Sequence, residues 1–189
     1  MVWCGGLNQV VTGMQAVLLI WTDGHWKVPI GLRRWRTGDP SKISFALELI
    51  QTAAQAGLTP THVVFGSWYA AAVLLNRLDD LIWRSVAQLK SHRTVDGHSI
   101  RHRWSHRFGH TDGHLRHVPH LVRVIKDGRR FWVTNELRLT PAQIKQHYQV
   151  RQSKKPFVCA NRNWIGELPG RQGPGPDRSS AHGIGGSVV

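Results

Sequence analysis

The sequence predicts an α/β protein, a mixed sheet with helices packed on it. Three observations carry that expectation. Apolar, β-branched runs within residues 14–35, 61–65 and 83–93 read as strands. The stretches 39–57 and 69–79 read as helices, the first with apolar residues spaced along one face. The elements alternate as β-β-α-β-α-β, the pattern of helices laid on a sheet.

Residues 1–22 carry no charged side chain. A basic lead is absent, however, and Gly5, Gly6, Asn8, Gln9 and Gln15 interrupt the apolar run. A soluble strand is expected there, with no membrane partner. "MQAVLLIWTDGHWKVPIGLRRW" then reads as two strands around a turn at Asp23-Gly24, where glycine supplies the positive φ a short hairpin needs. That turn role accounts for Asp23 without a catalytic one. In "DPSKISFALELIQTAAQAG", Asp39 is the expected cap and Pro40 suits a first turn. Ile43, Leu47, Ile50 and Ala54 recur on one face, and Gly57 suits the C-terminal end.

From residue 91 to 134 the character changes to an expected basic, β-rich insertion. Eight of the twelve histidines lie between His92 and His120. His98, His102, His106, His110 and His114 recur every fourth residue, a spacing that aligns metal ligands on a helix. Glycines and the Asp-Gly pairs at 96–97, 112–113 and 127–128 break that stretch into hairpins instead, so a solvated basic surface is expected and no metal site. Trp104, Phe108 and Trp132 either stack on bases or form the small core of the segment. "LTPAQIKQHYQVRQ" starts a helix with Thr140 as cap and Pro141 as first residue. The remainder, 153–189, is dense in Gly, Pro and Ser and reads as a disordered tail on a single domain spanning 1–152.

The net charge of +14 is extreme for 189 residues and points to a polyanion, most simply DNA. Residues 76–155 hold a net +11 of it, and Lys90, Arg93, Arg101, Arg103, Arg107, Arg129 and Arg130 are the expected nucleic-acid contacts. Two distant cysteines, Cys4 and Cys159, exclude a disulfide framework and suit a reducing cytoplasm.

"LLIWTDGHWKVPIG", "VVFGSWYAA", "LKSHR" and "VTNELRLTPAQIKQHYQVRQ", in order over residues 11–152, resemble the insertion-sequence transposases of the DDE superfamily. The resemblance implies an RNase H-like domain that cleaves and joins DNA with two Mg²⁺ ions held by three carboxylates. It places the first Asp on a strand preceding the hairpin, which this chain begins too late to include. The second belongs at the end of 61–65, where Gly66 stands. The third follows a Tyr-x-x-Arg-x-x-x-Glu signature, matched here by Tyr148 and Arg151 but ending in Lys155. Read with the frame displaced by two nucleotides, "QSKKPFV" permits I-E-E-x-F-R, with its second glutamate in register with Lys155. The tail therefore reads as out of frame. The implied identity is a decayed, truncated transposase fragment, of an enzyme family but itself inactive, with intact transposase copies as possible oligomer partners. The alternative is a non-catalytic basic module that binds DNA and interferes with an intact transposase. Without the central first strand, the hairpin and the strand 61–65 would face each other across a gap, with Val2–Val11 a weak candidate to fill it.

Overall fold

The structure, a computed structural model, describes residues 2–4, 9–11, 13–104, 108–152 and 186–188. Among the described residues, strands β1 (Val2–Cys4) and β2 (Gln9–Val11) pair only with each other and do not enter the main sheet. β3 (Gln15–Thr22) and β4 (Lys27–Trp35) form the expected hairpin, closed by a four-residue loop rather than a two-residue turn. Asp23 organises that loop. Its Oδ1 accepts the amides of Trp26 at 2.7 Å and His25 at 2.9 Å, while Gly24 takes φ +101°. Those two amides, Trp26 first, hold the Asp23 carboxyl below its ordinary range.

Helix α1 (Lys42–Gln55) starts later than its sequence suggests. Ser41 is the cap, its Oγ accepting the Ser44 amide at 3.1 Å. Asp39 instead accepts the Arg36 amide at 2.7 Å, so its carboxylate is spent on the turn before the helix. β5 (Pro60–Phe65) follows, then α2 (Ala72–Asp80) and β6 (Ser85–Leu89), parallel to β5.

The β-rich segment is present and continues the main sheet. β7 (Thr94–Val95) and β8 (His98–Ser99) flank the Asp96-Gly97 turn, whose φ values are +49° and +79°. After α3 (Ile100–Arg103) come β9 (Phe108–Gly113), β10 (Val122–Asp127) and β11 (Arg130–Thr134), antiparallel in turn, with β11 antiparallel to β6. Asp112-Gly113 lies inside β9 and is not a turn. Gly113 is needed for close approach, since a Cβ there would fall 2.5 Å from Val95 Cγ1. Asp112 grips Arg123 on the neighbouring strand through two 2.7 Å hydrogen bonds. Among the described residues His98 lies in β8, His102 on α3 and His110 in β9, with His114 just after it, so these four do not line one helix, and His106 lies outside the described residues.

Helix α4 (Pro141–Gln152) begins as expected, Thr140 Oγ1 accepting the Gln143 amide and Gln143 Oε1 accepting the Thr140 amide. The expectation of a disordered, out-of-frame tail lies outside the described residues over 153–185. At its end the chain differs from it, because Gly186–Val188 form strand β12. β12 lies between the hairpin and β5, antiparallel to Thr22 and Trp21 and parallel to Pro60, His62 and Val63. The full order is β4-β3-β12-β5-β6-β11-β10-β9. A mixed sheet with helices on both faces is consistent with the RNase H-like architecture that the resemblance implies. The expected gap is bridged at one end by β12.

Both faces of the central strands are buried, which is why 61–65 reads as an unbroken apolar run. Val63 and Phe65 join Val17, Leu19, Leu49, Leu74 and Leu78 beneath α1 and α2. Val64 and Val86 join Ile125, Trp132, Ile144 and Tyr148 beneath α4. Leu78 is 0% exposed, so Leu78→Ala should lower unfolding free energy by about 2–5 kcal/mol, read from urea denaturation. Among the described residues no helix is long and apolar enough to cross a membrane.

Candidate functional site at the carboxyl edge of the parallel strands

β5 and β6 run parallel and end together, with Phe65 level with Ala87. Such carboxyl edges are where α/β sheets place working side chains. His62 stacks on His147 of α4 and Val64 packs in the α4-side core, so the next position in that alternating row is Gly66. It is buried, and its carbonyl accepts the Tyr69 amide at 2.9 Å as the chain turns toward α2. A side chain here would project beneath α4. Glycine supplies no atom to do chemistry.

Cations surround this edge. Lys90 follows the last residue of β6, and its Nζ sits 4.6 Å from the ring centre of Trp68, two residues beyond Gly66. Trp68 is 66% exposed and offers a flat face to solvent. Because Phe131 pairs with Leu89, Arg130 and Lys90 stand at adjacent strand ends. Arg129 and Arg130 rim a surface pocket of about 340 Å³, with Gly128 in the turn and Lys145 on α4. Lys145 Nζ pairs with Asp127 at 2.5 Å, whereas Arg129 and Arg130 are exposed and make no ion pair among the described residues.

The other expected contacts lie differently. Arg101 is exposed on α3. Arg93 is half-buried, its Nη2 without a hydrogen-bond partner among the described residues, and burial pushes its guanidinium pKa down. The Arg103 side chain, Arg107, the Arg151 side chain and Lys155 lie outside the described residues. Tyr148 is core: 4% exposed, its ring edge toward Trp132 at 6.3 Å and its hydroxyl donating to Gln88 Oε1 at 3.0 Å. Trp132 is likewise buried and Trp104 packs on Phe131, while Phe108 is 61% exposed. Trp68 and Lys145 were not singled out in the sequence. An aromatic two residues beyond the end of an apolar run was the available signal for Trp68.

At the opposite, amino-terminal edge lies a second polar cluster. His62 Nε2 meets Glu136 Oε2 at 2.9 Å, Arg84 approaches the other Glu136 oxygen at 3.4 Å, and His147 stacks on His62 with ring centres 4.0 Å apart. Burial, and then the neighbouring His62, hold the His147 pKa below its ordinary 6.5, against an opposing pull from Glu136. The unfolded chain therefore takes up a proton near pH 6.5 that the folded chain accepts only at lower pH. Stability from this group is complete above pH 6.5 and is lost as pH falls below it. The urea midpoint should drop between pH 7.5 and 5 by more in the parent chain than in His147→Gln, as a paired denaturation series would show.

Among the described residues, no group of three His, Cys, Asp or Glu side chains is placed to hold a metal ion. With glycine at position 66, the residues at this edge do not fit a pair of Mg²⁺ ions. No curated protein and no solved structure matches the chain. A family model for DDE superfamily endonucleases matches residues 3–156.

Proposed function

The chain belongs to the DDE superfamily endonucleases, and we propose that it is a transposase-type member that has lost strand cleavage and retains contact with the DNA backbone. The observation that carries this reading is Gly66. It occupies the buried end of the strand where the family resemblance puts a carboxylate, and a hard divalent cation needs oxygen ligands there. The same edge keeps its cations. Lys90, Arg129 and Arg130 would neutralise successive phosphates, and the exposed Trp68 beside Lys90 would stack on an unpaired base. These contacts position a duplex without reading its sequence.

One experiment tests both halves. Labelled duplex DNA is titrated with the chain in Mg²⁺ at rising KCl, and the products are run on a denaturing gel. Binding that weakens steeply with salt, with intact strands, supports the reading. Cut strands, or no binding at low salt, would overturn it.

A further inference from the structure

One acid stands among the cations of the pocket between the β10–β11 turn and α4. Asp127 and Arg130 are direct partners at the end of that hairpin, and Gly128 takes φ +62° in the turn between them. Side chains directly opposite on paired strands share a face, and Trp132, two residues after Arg130, is core beneath α4. Asp127 and Arg130 therefore both project toward that helix. Lys145, Tyr148 and Gln149 meet them from one side of α4. The carboxylate joins Lys145, Oδ2 to Nζ at 2.5 Å, and leaves Arg130, its partner across the sheet, with no ion pair among the described residues. Lys145 is half-exposed, and ion pairs open to water contribute little to a fold. Trp132 lines the same pocket, and its buried Nε1, which can only donate, has no hydrogen-bond partner among the described residues. Arg129, Arg130, Lys145 and an unused donor around one exchangeable carboxylate favour an occupant that is anionic and rich in acceptor oxygens.

We propose that this pocket is a phosphodiester subsite and that Asp127 is its built-in competitor, a carboxylate that holds Lys145 until a phosphate takes its place. The inference rests on the DNA-contact reading above and adds to it one residue that limits affinity. A phosphodiester and a carboxylate each carry one negative charge, and both accept from an ammonium group. Exchange at Lys145 is therefore nearly even, and DNA gains little from that cation while Asp127 remains beside it. Asparagine at position 127 keeps the shape of the side chain and removes its charge. Lys145 then becomes a further full phosphate contact. One such contact steepens the slope of log affinity against log salt by about 0.9 and strengthens binding about tenfold near 50 mM salt.

Labelled duplex DNA is titrated at rising KCl with the parent chain, Asp127→Asn, the double variant Asp127→Asn with Lys145→Ala, and Asp80→Asn. Asp80 is exposed at the end of α2, on the face of the sheet opposite α4, and its replacement raises the net charge equally. Asp127→Asn should bind about tenfold more tightly near 50 mM KCl, with a slope steeper by about 0.9. The double variant should return to the parent slope, and Asp80→Asn should match the parent throughout. An unchanged Asp127→Asn, a double variant as steep as Asp127→Asn, or an equal gain in Asp80→Asn would overturn the proposal and leave the DNA-contact reading standing. No binding by any chain would overturn both. Should Asp127→Asn fail to fold, acetylation of the parent chain is followed by mass spectrometry with and without DNA. Lys145 should lose reactivity severalfold when DNA is bound, while Lys27, exposed at the amino-terminal edge, keeps its own. Unchanged reactivity of Lys145 in the bound complex would overturn the subsite.

Discussion

Incubated with plasmid or oligonucleotide DNA and Mg²⁺ or Mn²⁺, the purified chain should break phosphodiester bonds no faster than buffer does. An active metal nuclease accelerates that reaction by about 10⁶-fold or more, so the expected deficit is the whole of that factor. Metal-assisted transfer requires oxygen ligands that fix the ions against both the attacking and the leaving oxygen. At the end of β5 the position facing α4 is Gly66, with no donor. Among the described residues substitute acids are badly placed. Asp23 is engaged in the β3–β4 loop beside Thr22, and Asp79 lies 3.3 Å from His120 and from Asn135, which in turn binds the Ser85 amide at the start of β6. Both stand toward the amino-terminal edge, away from position 66. Asp127 is on the correct side but is paired with Lys145. Gly66→Asp alone should therefore stay inactive. A lone carboxylate in that buried setting should titrate above the ordinary Asp range, which carboxyl NMR would show. EDTA-sensitive nicking by a nuclease-free preparation of the parent chain would refute the expectation.

How much of this was legible follows from the range of the forces involved. The β-β-α-β-α-β core was readable because burial imprints local periods of two and 3.6 residues. Gly66 was conspicuous for the same reason, as a residue without a side chain at the end of a run buried on both faces. Helix starts were less secure, since Asp39 and Ser41 are both competent caps and only the turn at Arg36 decides between them. The place of β9–β11 in the main sheet depends on pairing Thr134 with Val86, a long-range contact that leaves no local period. Asp112-Gly113 shows the same limit, a turn dipeptide serving close packing instead. β12 was invisible because three residues in a Gly- and Ser-rich stretch gain their strand character from the edges on either side. At the site, charge alone could not separate the solvent-facing Arg129 and Arg130 from Arg93, half-withdrawn by its own packing.

The salt dependence of DNA binding should collapse when the carboxyl edge loses its cations. Each phosphate neutralised by Lys or Arg releases condensed counterions, contributing about −0.9 to the slope of log affinity against log salt. Lys90, Arg129 and Arg130 come together because β11 and β6 end side by side, so one DNA backbone can reach all three. Replacing them together with Ala should reduce the slope by about 2 to 3, and affinity near 50 mM salt should fall by more than tenfold. All three stand at chain turns or strand ends, and Arg129 and Arg130 are exposed with no ion pair among the described residues, so the fold should survive, as circular dichroism would verify. Arg33 is the control. It is bound to Glu48 by two hydrogen bonds on the α1 side of the hairpin, and Arg33→Ala should leave the slope within error of the parent. Lys90→Ala alone should also weaken binding to single strands more than to duplex, because it removes the charge poised over Trp68. A triple variant with the parent's slope would mean that the DNA lies elsewhere, with Arg101 on α3 the next position to test.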